Sequence, residues 1–120
     1  MLKVYGIKNC NTVKKSLDWL TNQNFKYEFY DIKKNILNKS LLDVWIKNLG
    51  NEYTWKSLIN RTSLSWKQLG EEEKNTLSEL DNAINAIIDK PTLMKRPVIT
   101  EHEKVILIGF DENLYKKKLK

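Results

Sequence analysis

Apolar positions change their spacing twice in the opening segment of the chain. Leu2, Val4, Tyr5 and Ile7 crowd into a short, mostly apolar run that reads as a central strand. A polar turn, Lys8-Asn9-Cys10-Asn11-Thr12, interrupts it. Val13, Leu17 and Leu20 then recur at i, i+4 and i+7, with Lys14, Lys15 and Asp18 on the opposite side. That spacing predicts an amphipathic helix running to about Asn22, its start capped by Asn11 or Thr12. From Lys26 to Ile32 the pattern alternates: Tyr27, Phe29 and Asp31 share one face, and Glu28, Tyr30 and Ile32 share the other. This is a second strand. Strand, helix and strand at this spacing predict a parallel βαβ unit with a right-handed crossover.

The middle of the chain keeps helical spacing. Leu42, Trp45, Ile46 and Leu49 recur every three or four residues, and Gly50 is placed to cap the C-terminus. Tyr53 to Asn60 reads as a short helix, and Arg61-Thr62-Ser63-Leu64 as a loop. Glu71, Glu72 and Glu73 suit the first turn of a helix, where the dipole favours acids. Leu77, Leu80, Ile84, Ile87 and Ile88 continue a helical stripe with a break near Asp81, and Pro91 ends it. Val98-Ile99-Thr100 and Lys104 to Ile108 form a predicted hairpin about the turn Glu101-His102-Glu103. Asp111 caps a last helix from Glu112 to about Lys118. The order is β-α-β, a helical insertion at about 38–92, then β-β-α. It predicts an α/β, thioredoxin-like fold with a mixed four-stranded sheet. No repeat or linker divides the chain, so residues 1–120 are expected to form one domain.

Composition narrows the function. Hydrophobic residues make up 41% and charged residues 30%, an ordinary globular balance. No apolar run approaches the ~18 residues of a membrane span, and the first residues lack a signal-peptide pattern, so a cytoplasmic location is expected. The net charge of +6 lies partly in Lys116, Lys117, Lys118 and Lys120, which read as a solvated end rather than a nucleic-acid site. Trp19, Trp45, Trp55 and Trp66 are scattered without basic residues interleaved on one face, so they read as packing and nucleic acid is disfavoured as a partner. His102, the sole histidine, reads as a hairpin-turn residue. A single cysteine excludes an internal disulfide, an internal Cys-x-x-Cys pair and a cysteine zinc cage; no metal or bound cofactor is expected.

That cysteine is the candidate for chemistry. Cys10 follows a strand and opens a helix. The reactive form of cysteine is the thiolate, and a free thiol ionises near pH ~8.5. A helix N-terminus offers unpaired N–H donors and a partial positive charge that stabilise an anion. The donors here are the amides of Asn11, Thr12 and Val13, with Lys14 one turn in and Lys8 on the other side. Each favours the thiolate over the inert, buried thiol that an isolated cysteine otherwise suggests.

At these residues the chain resembles a known family. Tyr5-Gly6-Ile7-Lys8-Asn9-Cys10-Asn11-Thr12-Val13-Lys14-Lys15 is similar to the opening of the arsenate-reductase-related ArsC/Spx family. It is closest to small ArsC-like proteins proposed as glutathione-dependent thiol reductases. Leu58-Ile59-Asn60-Arg61-Thr62 with Trp66-Lys67-Gln68-Leu69 resembles that family's central arginine loop. Pro91 to Ile99 resembles the segment before its third strand, and Leu107-Ile108-Gly109-Phe110 resembles its last strand. The resemblance implies that Cys10 is the nucleophile and that Thr12 belongs to the active-site loop. It implies that Arg61 and Arg96 bind an oxyanion and that the Arg96–Pro97 bond is cis. Two guanidinium forks at a helix mouth are physically coherent with that role, since arginine is planar, bidentate and always charged.

The sequence also departs from arsenate reductases. Val13 stands where they carry a serine, Lys14 where they carry an arginine, and Gly109 where they carry a further arginine, which counts against arsenate as the substrate. The implied function is a thiol-dependent reductase acting on a disulfide or small oxyanion. With no second cysteine, Cys10 must be regenerated by an external thiol such as glutathione, or by a glutaredoxin. The alternative is an Spx-like regulator that docks on RNA polymerase. The Spx pattern of Cys-x-x-Cys is absent, because Val13 occupies the second position.

Overall fold

In a computed structural model of the chain, which describes residues 1–34 and 36–119, the N-terminal apolar run becomes strand β1, Leu2–Gly6. Lys120, counted above in the basic end, lies outside the described residues. Strand β1 is central, as its two-sided apolar character requires. It pairs in parallel with β2, Tyr27–Asp31, in the register Val4↔Phe29, and antiparallel with β3, Val98–Glu101, in the register Val4↔Ile99. Strand β4, Lys104–Ile108, closes the order β2-β1-β3-β4 with an antiparallel pairing to β3. The sheet is therefore mixed and four-stranded, as expected. The hairpin turn is the one predicted: His102 and Glu103 have φ of 51° and 66°, both left-handed, which matches the twist of the strands they join.

The two faces of the sheet bury separate sets of side chains. Leu2, Val4, Ile99 and Leu107 meet helix α1, Asn11–Asn22, through Trp19 and Leu20, and helix α6, Glu112–Lys118, through Tyr115. On the other face Tyr5, Val98, Val105 and Ile108 meet the helical insertion. That insertion comprises α2 (Lys39–Lys47), a 3₁₀ turn (Trp55–Leu58), α3 (Leu64–Lys67), α4 (Glu71–Thr76), α5 (Leu80–Asp89) and a second 3₁₀ turn (Pro91–Leu93). Its apolar stripe delivers Leu42, Trp45, Ile84 and Ile87 to the core, all 3% exposed or less.

Several boundaries differ from the sequence expectation for local reasons. Helix α1 is capped by neither Asn11 nor Thr12. Cys10 is its N-cap, with extended φ and ψ of −96° and 122° and no side-chain cap bond. Helix α2 ends at Asn48, not at Gly50. Leu49 leaves the helix to bridge Val105, and the Gly50 amide donates to the Val105 carbonyl at 3.1 Å, so tertiary pairing takes the chain before a glycine cap forms. The break in the long helical stripe falls at 77–79, ahead of Asp81. The loop expected over 61–64 ends at Ser63, whose side chain caps α3 by accepting from the Trp66 amide at 3.1 Å, so Leu64 is already helical.

Two contacts tie α1 to the sheet. A Cβ on Gly6 would stand 2.9 Å from Val13 Cγ2, so only glycine lets the first turn of α1 sit this close to β1. Behind it, the buried Ser16 hydroxyl lies 2.8 Å from the Tyr115 hydroxyl, which donates to the Gly109 carbonyl at 2.6 Å. Because the single phenolic hydrogen goes to Gly109, Ser16 donates to Tyr115. Burial pushes the Tyr115 phenol far up, so it stays protonated. Removing this hydroxyl leaves Ser16 and Gly109 without their partner. Tyr115→Phe is expected to cost about 1–3 kcal/mol, read as a lower midpoint in urea with an unchanged slope. Ser16→Ala, which keeps the Tyr115–Gly109 bond, is expected to cost less.

Candidate active site

The turn after β1 is closed by a bond from the Cys10 amide to the Ile7 carbonyl at 3.2 Å, and α1 begins with the Lys14 amide donating to the Cys10 carbonyl at 3.0 Å. The strand thus delivers Cys10 half-buried to the helix mouth. Burial is the largest single influence on its thiol and raises the pKa. It is outweighed by the Val13 amide, by the Arg96 guanidinium as donor and as charge, and by the Thr12 amide, so the thiol lies below its ordinary value. The helix-mouth argument therefore holds for two of the three amides named from sequence. Val13 acts through its backbone alone, because its side chain is fully buried against β1. Lys8, Asn11 and Lys14 are exposed and are not among the groups that set the thiol's pKa. The cation that does so comes from the far end of the chain.

Arg96 is delivered by the segment entering β3. Its Nη1 donates to the carbonyls of Thr92 and Met94, both at 3.0 Å, which fixes the guanidinium plane. Among the described residues its buried Nε has no hydrogen-bond partner. The Arg96–Pro97 peptide is cis, as the resemblance implied.

Arg61 approaches from the insertion. Ile59 and Met94 form an antiparallel bridge, flanked by Asn60 N–H to Leu93 carbonyl and Lys95 N–H to Leu58 carbonyl, both 2.8 Å. This short pairing fastens the Arg61 loop beside the Arg96 segment. Between them opens a cleft of about 630 Å³ whose walls include Thr12, Lys56, Arg61, Lys95, Arg96 and Gly109. Cys10 is two residues from the Thr12 wall and is not itself a lining residue. Four of the lining side chains are cationic and none is acidic. Arg61 sits 5.5 Å from the centre of the Trp66 ring and Lys56 5.7 Å from that of Trp55. These cations rest on aromatic faces instead of carboxylates, which leaves their charge uncompensated. Trp55 and Trp66 thus do more than the packing expected of them, whereas Trp19 and Trp45 are buried in the core as read. Lys56 and Lys95 were not singled out from sequence. The available signal for Lys95 was its position beside Arg96 and Pro97; Lys56 carried none. Exposed His102 stays in the hairpin, and the ion pair of Lys118 with Glu52 ties the C-terminal helix to the insertion away from this cleft. No helix among the described residues is long and apolar enough to cross a membrane.

Comparison with known proteins agrees with this geometry. The profile of the ArsC family matches residues 5–118. An uncharacterized protein of Haemophilus influenzae is 38% identical over 115 residues, covering 96% of both chains. Among solved structures, the YFFB protein superposes over 100% of both chains with a TM-score of 0.83 at 29% identity. An arsenate reductase (ArsC) related protein from Brucella melitensis is similar over 99% of this chain and 94% of its own, with a TM-score of 0.76 at 31% identity. A strand that hands its cysteine to a helix mouth, an arginine before a proline, and a family match over nearly the whole length agree: this chain belongs to the ArsC family.

Proposed function

We propose that the protein is a thiol-dependent reductase whose nucleophile is the Cys10 thiolate. The observation that carries this reading is the convergence of the Val13 and Thr12 amides and the Arg96 guanidinium on one sulfur, with a net lowering of its pKa. A lowered pKa raises the thiolate fraction at neutral pH.

In the proposed cycle the thiolate attacks one sulfur of a disulfide. A Cys10–sulfur bond forms, the old sulfur–sulfur bond breaks, and its electron pair leaves with the second sulfur as a thiolate. The chain contains no other cysteine, so an external thiolate attacks the substrate sulfur of the mixed disulfide, forms a new disulfide with it, and Cys10 leaves with the electron pair as a thiolate. Glutathione or another small thiol fits this step, as does a glutaredoxin. A small oxyanion is the other class of electrophile: Arg61 and Arg96 supply planar cationic donors, and the unpartnered Arg96 Nε offers one more bond. Gly109 in place of the further arginine weighs toward the disulfide. The absence of Cys-x-x-Cys weighs against the regulator reading, and recovery of RNA polymerase subunits with the protein from cell extract would reverse that order.

Three outcomes are expected. First, the rate of Cys10 alkylation by a neutral reagent against pH turns over below the pH of a free thiol; a midpoint at the free-thiol value overturns the reading. Arg96→Gln moves that midpoint up by removing a donor and a charge. Second, Cys10→Ser abolishes thiol transfer and retains the folded circular-dichroism spectrum. Third, stability follows the thiol. Between the lowered folded-state pKa and the ordinary value, the unfolded chain binds more protons than the folded one, so stability rises with pH. The contribution is full above the ordinary value and is lost as pH falls through the lowered one. Denaturation midpoints of wild type and Cys10→Ser should therefore diverge with rising pH across that window.

A further inference from the structure

Gly109 directly follows β4 in the left-handed region, with φ of 80°, and it lines the cleft. A Cβ added to it would stand 2.8 Å from Lys95 Cε and 3.6 Å from Lys95 Nζ. The lysine stem therefore lies directly over the glycine, in the space a side chain at 109 would take. The Lys95 backbone is held by its bond to the Leu58 carbonyl, and the Gly109 amide donates to the Pro97 carbonyl, also at 2.8 Å, so both partners are fixed to the same frame. Among the described residues Lys95 forms no ion pair, and no acid lines the cleft. Arg96 acts on the sulfur; Lys95, its neighbour in sequence, is not among the groups that do.

We infer that Lys95 is a specificity-determining residue of this cleft, which uses it to recognise an acidic group on the thiol or disulfide substrate. The inference rests on the reductase reading and assigns a second task to the same site. Arg96 and the helix-mouth amides favour the Cys10 thiolate; Lys95 selects what reaches it. The cleft volume of about 630 Å³ is that of a pocket for a small organic ligand rather than one tetrahedral oxyanion. The charged groups of its lining are all cationic, which fits a substrate carrying a carboxylate beyond the reacting sulfur.

The experiment compares two disulfide probes in single turnover, the dianionic dithiobis(nitrobenzoate) and the neutral dithiodipyridine. With each, Cys10 sulfur bonds to one half of the probe and the other half leaves as an aromatic thiolate or thione, which is followed by absorbance. In Lys95→Gln the rate with the dianionic probe should fall about three- to tenfold at low ionic strength, the effect of one unit charge a few ångströms away near a solvated surface. The rate and pH profile with the neutral probe should not change. Lys95→Arg should restore the preference, and high salt should erase it in the wild type. Lys26→Gln, at the opposite end of β2 from the cleft, controls for the overall charge of +6. The inference is overturned if both probes slow equally in Lys95→Gln, if neither slows, or if Lys26→Gln lowers the dianionic rate as much. Failure of the reductase reading looks different: the neutral probe would then follow a free-thiol pH profile in the wild type, whatever the ratio between probes.

Discussion

The site depends on a few backbone bonds that have no chemistry of their own. The bridge between Ile59 and Met94, with its flanking bonds at Asn60 and Lys95, joins a loop of the helical insertion to the segment that enters β3. Without it, Arg61 and Arg96 belong to two separate parts of the fold. With it, they line one cleft. The bonds are short and shielded by the buried Leu58, Leu93 and Met94, so each amide would lose its partner without gaining water if the pairing slipped. The Gly6–Val13 approach does the same on the other side, setting the mouth of α1 against the end of β1.

On that frame the thiol is held by opposing effects rather than by one strong one. Burial works against the charged sulfur and is the largest single influence; amides and a guanidinium together exceed it. This is a different balance from a fully exposed thiol, where water would stabilise the anion but also screen every cation nearby. Half-burial keeps the Arg96 charge effective. It also explains why exposed Lys8 and Lys14 count for little despite their closeness in sequence: solvated ammonium groups pointing outward interact with the sulfur through high-dielectric water.

Much of the architecture was legible because it follows from spacing. The alternation of β2, the i, i+4, i+7 stripe of α1 and the left-handed hairpin turn at His102 and Glu103 are local patterns, and the chain obeys them. Cys10 was legible as a junction residue. What was not legible came from long-range contact. Gly50 reads as a cap until its amide is bonded to the Val105 carbonyl, and Lys95 gives no signal of its own until Gly109 is seen beneath it. Val13 illustrates the limit within the site: its amide position follows from the helix, but its burial against Gly6 follows from packing. The Ser16–Tyr115–Gly109 chain spans 99 residues in sequence, and no periodicity announces it.

A chain with one cysteine divides its chemistry in an unusual way on the proposed reading. An enzyme with a resolving thiol selects its substrate once and completes the exchange internally. Here the resolving sulfur must arrive from solvent, so the same cleft has to admit two molecules in succession: the electrophile and then the thiol that frees Cys10. A shared feature of both is what such a cleft can use, and an acidic group is the feature that a lining with cations and no acids recognises. Charges that rest on Trp55 and Trp66 instead of on carboxylates stay available for each arrival without an ion pair having to break first. On that reading, a cleft whose lining carries cations and no acids suits a sulfur that an anion reaches twice per cycle.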